Sequence, residues 1–186
     1  YTLCEADFPM GGMEYPAMAM IASSQLALGG QALEYVTAHE TAHQWWYAVV
    51  GSDPWNQPWQ DEALSEYSVL CYWEDTRRAA RDEWEQTHME AALRVTVPRG
   101  VTPGAPLDRF STMAEYALVV YERGAAMLCA LDRALSGGLD AALSAYYAHY
   151  AFGRATRGDF EALLRSVTGE DLSSLIRDYL DTYILN

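Results

Sequence analysis

Two histidines four residues apart, His39 and His43, with Glu40 between them and Glu62 eighteen intervening residues further on, restrict this chain more than any other feature. Side chains at i and i+4 leave a helix on one face, so both imidazoles can reach a single metal ion. Catalytic zinc takes three protein ligands and keeps a fourth position for water, and two histidines with a glutamate form an established set. Glu62 supplies the third ligand, and Glu40 sits beside the metal, where a carboxylate can take a proton from bound water. The apolar positions Leu33, Val36, Ala42, Trp46 and Val49 recur at helical spacing around the motif, and Gly51 followed by Pro54 stops the run. The spacing therefore predicts a helix with the motif in its middle. A second apolar-periodic segment, 59–73, follows the loop 52–58, so a helix–loop–helix hairpin brings Glu62 back to the histidines.

The rest of the chain reads as mostly helical. One or two helices are expected over 59–93 with a break near 75–81, then a long loop around Pro98, Gly100, Pro103, Gly104 and Pro106. Loops of that length in compact domains are often functional. Thr112 and Glu115 have capping-box spacing and open a helix that runs through Tyr121 to Gly137–Gly138. Three shorter helices are expected at about 139–151, 157–167 and 171–184, and the strand candidates all lie before residue 30. Trp45, Trp46, Trp55, Trp59 and Trp73 read first as core packing around the site and second as a specificity wall. His88 and His149 each stand apart from other ligand types and read as surface or hydrogen-bonded histidines. Glu66 lies one turn beyond Glu62. It is either a solvated helix carboxylate or one that holds a zinc histidine by its other ring nitrogen.

A chain of 186 residues with 51% hydrophobic and 12% aromatic residues can fill one core. A net charge of −14 argues against nucleic acid or an anionic membrane surface as partner and towards solubility and cationic substrates. No apolar run approaches the roughly 20 residues that span a bilayer, and no signal-peptide pattern opens the chain, which leaves the compartment undecided. Cys4, Cys71 and Cys129 are odd in number and far apart, without metal spacing, so they read as incidental thiols.

The run from His39 to Ser68 resembles the zinc-binding core of the gluzincin aminopeptidases, the family of aminopeptidase N and leukotriene hydrolase. Gln44-Trp45 after His43, and Trp59-Gln60-Asp61-Glu62-Ala63 around the third ligand, match the family's segments. Gly11-Gly12-Met13-Glu14-Tyr15 resembles its exopeptidase motif and Tyr121-Glu122-Arg123-Gly124 the segment with its catalytic tyrosine, in the family's order. Tyr15, Asp61, Ala63 and Arg123 depart from the usual Asn, Asn, Gly and Lys, which suggests a divergent subgroup. The resemblance implies the helical part of a thermolysin-like zinc metallopeptidase domain, mainly α with a short β segment near the N-terminus. Within it, 1–30 would carry the exopeptidase motif, 31–93 the zinc-site helices, 94–110 a loop and 111–186 the C-terminal helices.

It further implies one zinc ion per chain and peptide substrates with a free N-terminus. Glu14, with Gly11, Gly12 and Met13, would hold that N-terminus. Tyr121 would donate to the oxyanion, and Tyr116 would line the site or pack. Family members carry a β-rich N-terminal domain and further strands before the exopeptidase motif, so the chain is expected to be an N-terminally truncated catalytic domain. Three other activities remain open: a thermolysin-like endopeptidase, an epoxide hydrolase with secondary peptidase activity, and a non-catalytic zinc-stabilised module. Glu40 weighs against the last, because structural zinc sites are usually closed four-ligand shells.

Overall fold

The computed structural model describes residues 1–182 and shows a mainly helical domain with a small sheet at its N-terminal end. Strands β1 (Thr2–Ala6), β2 (Gly12–Tyr15) and β3 (Met18–Ala22) form a sheet in the order β1-β3-β2, with β1 parallel and β2 antiparallel to β3. β2 is thus an edge strand, and the register pairs Glu14 with Ala19. Helices α1 (Ser23–Leu28) and α2 (Gly30–Ala42) follow, joined by Gly29 and Gly30 at φ values of +60° and +57°, which glycine adopts without steric cost. After the two-residue strand β4 (Val50–Gly51) come α3 (Trp59–Thr76) and α4 (Arg78–Trp84), then a π-helical turn, Glu85–Met89, and α5 (Glu90–Arg94). The anticipated break falls at Arg77.

The loop after α5 is anchored by Val97 and Val101, which pack on Val119. One helical rod then runs as α6 (Met113–Tyr116), a seven-residue π-helix (Ala117–Arg123) and α7 (Gly124–Ala134). Thr112 caps it by accepting from the Glu115 N–H, but the Glu115 carboxylate reaches Ser111 N and not Thr112 N, so only half of the expected capping box forms. Helices α8 (Leu139–Tyr150), α9 (Arg157–Thr168) and α10 (Ser173–Leu180) complete the fold as expected, the last expectation extending past 182 to residues outside those described. Strand β5 (Gly153–Arg154) pairs with β4, so strands do occur beyond residue 30, as two-residue pairs too short to leave an alternating pattern. Trp46, Trp59 and Trp73 are core residues, whereas Trp45 and Trp55 are about half exposed and do not pack the core.

The main difference from expectation is in α2, which stops at Ala42 and puts the histidine motif in its last turn, not its middle. A longer helix would commit the Trp46 carbonyl to residue 50. Here that carbonyl accepts instead from His43 Nδ1 at 3.1 Å, and the chain folds back through Ala48 N→His43 O and Val50 N→Trp45 O. Trp46 is still buried, by the turn and not by a helical face.

Candidate metal centre and active site

α2 and α3 pack together, and α3 packs on α7 at a point where a methyl on Gly124 would lie 2.6 Å from the Ala63 side chain. That close approach sets Tyr121, one turn before Gly124, opposite Glu62, the neighbour of Ala63. His39 Nε2, His43 Nε2 and Glu62 Oε2 converge: the separations are 3.2 Å between the imidazoles and 3.2 and 3.4 Å from these to the carboxylate. Tetrahedral zinc with bonds of about 2.0–2.1 Å places its ligand atoms about 3.3–3.4 Å apart, so the triangle has the size the ion requires.

The hydrogen bonds behind the triangle turn the lone pairs inward. His39 Nδ1 lies 3.2 Å from Glu66 Oε2, an oxygen that also accepts from the Tyr35 hydroxyl at 2.8 Å, while Glu66 Oε1 accepts from Trp84 Nε1 at 3.0 Å. Glu66 is fully buried, so of its two readings it is the carboxylate that holds His39. His43 Nδ1 lies 3.1 Å from both Trp46 O and Ser65 Oγ. A carboxylate and a carbonyl only accept, which assigns each Nδ1 its proton and leaves each Nε2 free to ligate. Burial opposes the imidazolium at both residues, but the carboxylates outweigh it: Glu62 and Glu66 raise His39 well above the ordinary histidine range, and Glu62 raises His43. Burial likewise opposes ionisation of Glu62, and the two histidines overcome it, so its carboxyl is held below its usual range. Positive charge is what this triangle favours, and the donor set fits a divalent metal.

Glu40 is buried beside the triangle, and its Oε2 has no hydrogen-bond partner. Burial, reinforced by Glu14 and Glu62 and offset by the histidines, pushes its carboxyl up to about 7. Gly12 explains the space, since a methyl there would overlap the Glu40 carboxylate. Strand alternation puts Glu14 on the same face as Gly12, and donor atoms of Glu14, Glu40 and His43 all lie within 4.8 Å of one another. Met13 is on the opposite face, and Gly11 serves the sheet through its carbonyl, which accepts from Ala22 N. Gln44 straps the hairpin of β2 and β3 to the end of α2: its side chain accepts from Ala17 N at 2.8 Å and donates to Tyr15 O at 3.1 Å.

Tyr121 stacks on His39, with rings 5.3 Å apart at 9°, and Tyr116 meets Tyr121 edge-on at 5.5 Å. Burial and then the Glu62 charge raise both phenols, so both remain donors. The structure therefore brings together all the anticipated site residues except Gly11, which acts through its backbone carbonyl, and Met13, whose side chain lies on the opposite face of β2. It adds Tyr35, Ser65, Trp84 and Asp61. Asp61 is buried next to Glu62, with its Oδ1 accepting from Glu62 N, and burial followed by the Glu62 charge pushes its carboxyl up to about 8. Tyr35 lies four residues before His39 and Ser65 three after Glu62, so helical spacing from the ligands would have found both.

The chain and its fold are similar to known proteins. The chain is 28% identical over 169 residues to leukotriene A-4 hydrolase of Xenopus laevis, covering 86% of this chain and 27% of that protein. It is 27% identical over 164 residues to leucine aminopeptidase 2 of Eremothecium gossypii, covering 82% and 25%. It thus spans about a quarter of the length of these curated relatives. Its fold superposes on a mutant M1 zinc metallopeptidase from Deinococcus radiodurans, solved with a Tyr-Ser-Ala substrate, with a TM-score of 0.79 at 20% identity, over 100% of this chain and 40% of that one. The peptidase family M1 domain matches residues 1–179, and the chain belongs to that family.

Proposed function

We propose that this chain is the catalytic part of a zinc-dependent aminopeptidase, which removes the first residue from peptides with a free N-terminus. The observation that carries the reading is Glu14 and Glu40 standing together beside three converging donor atoms. The relatives named above, a leucine aminopeptidase and a metallopeptidase with a bound tripeptide, support the substrate class. His39, His43 and Glu62 would hold the zinc, which when bound supplies Lewis acidity toward a carbonyl and toward a water. Glu40, with no competing hydrogen-bond partner at Oε2, takes the proton of the attacking water and passes it to the leaving amine. Tyr121, held against His39, donates to the oxygen that becomes negative in the transition state. Glu14 pairs with the substrate's α-ammonium, which sets the first peptide bond beside the metal ligands. Glu66, Tyr35 and Ser65 keep the imidazoles oriented.

The test is hydrolysis of a panel of aminoacyl chromogenic amides and their N-acetylated counterparts by the natural protein, with and without chelator. Free-amine substrates should be cleaved and acetylated ones spared. Chelator should abolish the activity, zinc should restore it, and Glu62→Ala should fail to retain metal, because two histidines make a weak site. Internal cleavage of blocked peptides at the same rate would replace the aminopeptidase reading with an endopeptidase one.

A further inference from the structure

We propose that the ring of Tyr47 is a second contact for the substrate's α-ammonium group, enclosing it together with Glu14; this rests on the aminopeptidase reading above. Tyr47 lies four residues beyond His43 in the turn that ends the metal-binding helix, and its φ is 125°, a conformation that favours glycine. A bulky residue persists there only when its surroundings impose it, and such positions cluster at active sites and ligand clamps. Here the backbone is held from both sides. Tyr47 N donates to Val50 O at 3.0 Å, Ala48 N to His43 O at 3.0 Å and Val50 N to Trp45 O at 2.9 Å.

The outcome of that strain is an aromatic ring at the site. Tyr47 stands edge-on to His43, with centroids 6.5 Å apart and planes at 88°, and it is only half-buried, so a ligand can reach it. His43 is also the neighbour of Glu14, within 4.8 Å between donor atoms. Burial, then the charges of Glu14 and Asp61, hold the proton on the Tyr47 hydroxyl, so the phenol is neutral and its surroundings are negative. A neutral aromatic ring within reach of the Glu14 charge suits a compact cation, which the ring quadrupole attracts while the carboxylate accepts its hydrogen bonds. An acetylated N-terminus has no such charge, so Tyr47 would deepen the selection for free N-termini that begins at Glu14.

The experiment measures binding as well as turnover. Affinities of leucine and N-acetyl-leucine are compared by titration calorimetry on the chelated and on the zinc-loaded protein, for wild type, Tyr47→Gly and Tyr47→Phe. Tyr47→Gly suits the local φ and should fold. It should weaken leucine by about 3- to 30-fold, the range of a cation–π contact, and leave N-acetyl-leucine unchanged. Tyr47→Phe retains the ring and should stay within about twofold of wild type. Unchanged leucine affinity in Tyr47→Gly would overturn the proposal, as would an equal loss for both ligands, which would make Tyr47 a general wall. A loss in Tyr47→Phe as large as in Tyr47→Gly would overturn the assignment to the ring. If the wild type neither distinguishes the two ligands nor cleaves aminoacyl amides, it is the aminopeptidase reading that fails.

Discussion

Where α2 meets α3 the protein buries charge, and where α8, α9 and α10 pack it buries hydrocarbon. The first region holds His39, Glu40, His43, Asp61 and Glu66 out of solvent, a cost that partners offset at Glu66 and that raises the carboxyls of Glu40 and Asp61. The second holds Leu139, Ala142, Leu143, Tyr146, Phe160, Leu164, Ile176 and Leu180. Their local rules differ in the same way. α9 has a full capping box between Thr156 and Asp159 and ends at Gly169 in the left-handed conformation, as propensity alone would choose. α2 ends in a turn with Tyr47 at positive φ, Glu40 Oε2 is left without a partner, and Tyr121 sits in a π-helix, a form frequent at functional sites. In this comparison the site region carries departures from local preference that α9 lacks.

Substitutions can break that division if it is wrong. The largest effect is expected at Glu40→Gln, where kcat should fall by about 10²–10⁴ with metal content and Tm maintained, because a buried unpartnered carboxylate becomes a neutral amide. Metal analysis and calorimetry check it, and loss of zinc would move Glu40 into the scaffold. Phe160→Ala should do the reverse, costing about 3–5 kcal/mol of stability by denaturant titration, with kcat per folded molecule intact. Tyr121→Phe removes one hydroxyl and should lower kcat by about 10²–10³ with little change in KM; an unchanged kcat would reduce Tyr121 to packing against His39.

Smaller effects sharpen the boundary. Glu66→Gln keeps the shape but loses the charge that orients His39, and competition with a chelator should show metal affinity down by about 10- to 100-fold. If affinity is unchanged, the Tyr35 and Trp84 contacts suffice to hold the carboxamide and the charge is incidental. Thr156→Ala should cost about 1 kcal/mol, seen as a Tm lowered by about 2–4 °C, with zinc affinity untouched. A change in metal binding there would mean that the two regions are coupled.

Much of this was legible along the chain. Helical spacing of apolar residues located α3, α8 and α9 to within a residue or two, since each must present one face to the core. The spacing of His39, His43 and Glu62 anticipated a triangle whose atoms do meet. Other features were not legible. The early end of α2 depends on the Trp46 carbonyl turning to His43, the exposure of Trp45 and Trp55 depends on what packs near them, and the half-formed cap at Thr112 depends on where Glu115 swings.

The candidate ligands and their order, the helices that carry them and the amphipathic faces of the C-terminal elements were legible in sequence alone, because motif spacing and apolar periodicity are properties of the chain itself. Only tertiary structure decided that Glu66 faces His39, that Gly12 makes room for Glu40 and that Gln44 ties the hairpin of β2 and β3 to the end of α2. Each of these needs residues from separate elements brought together by burial of the core, and no pattern within one segment encodes a distance to another.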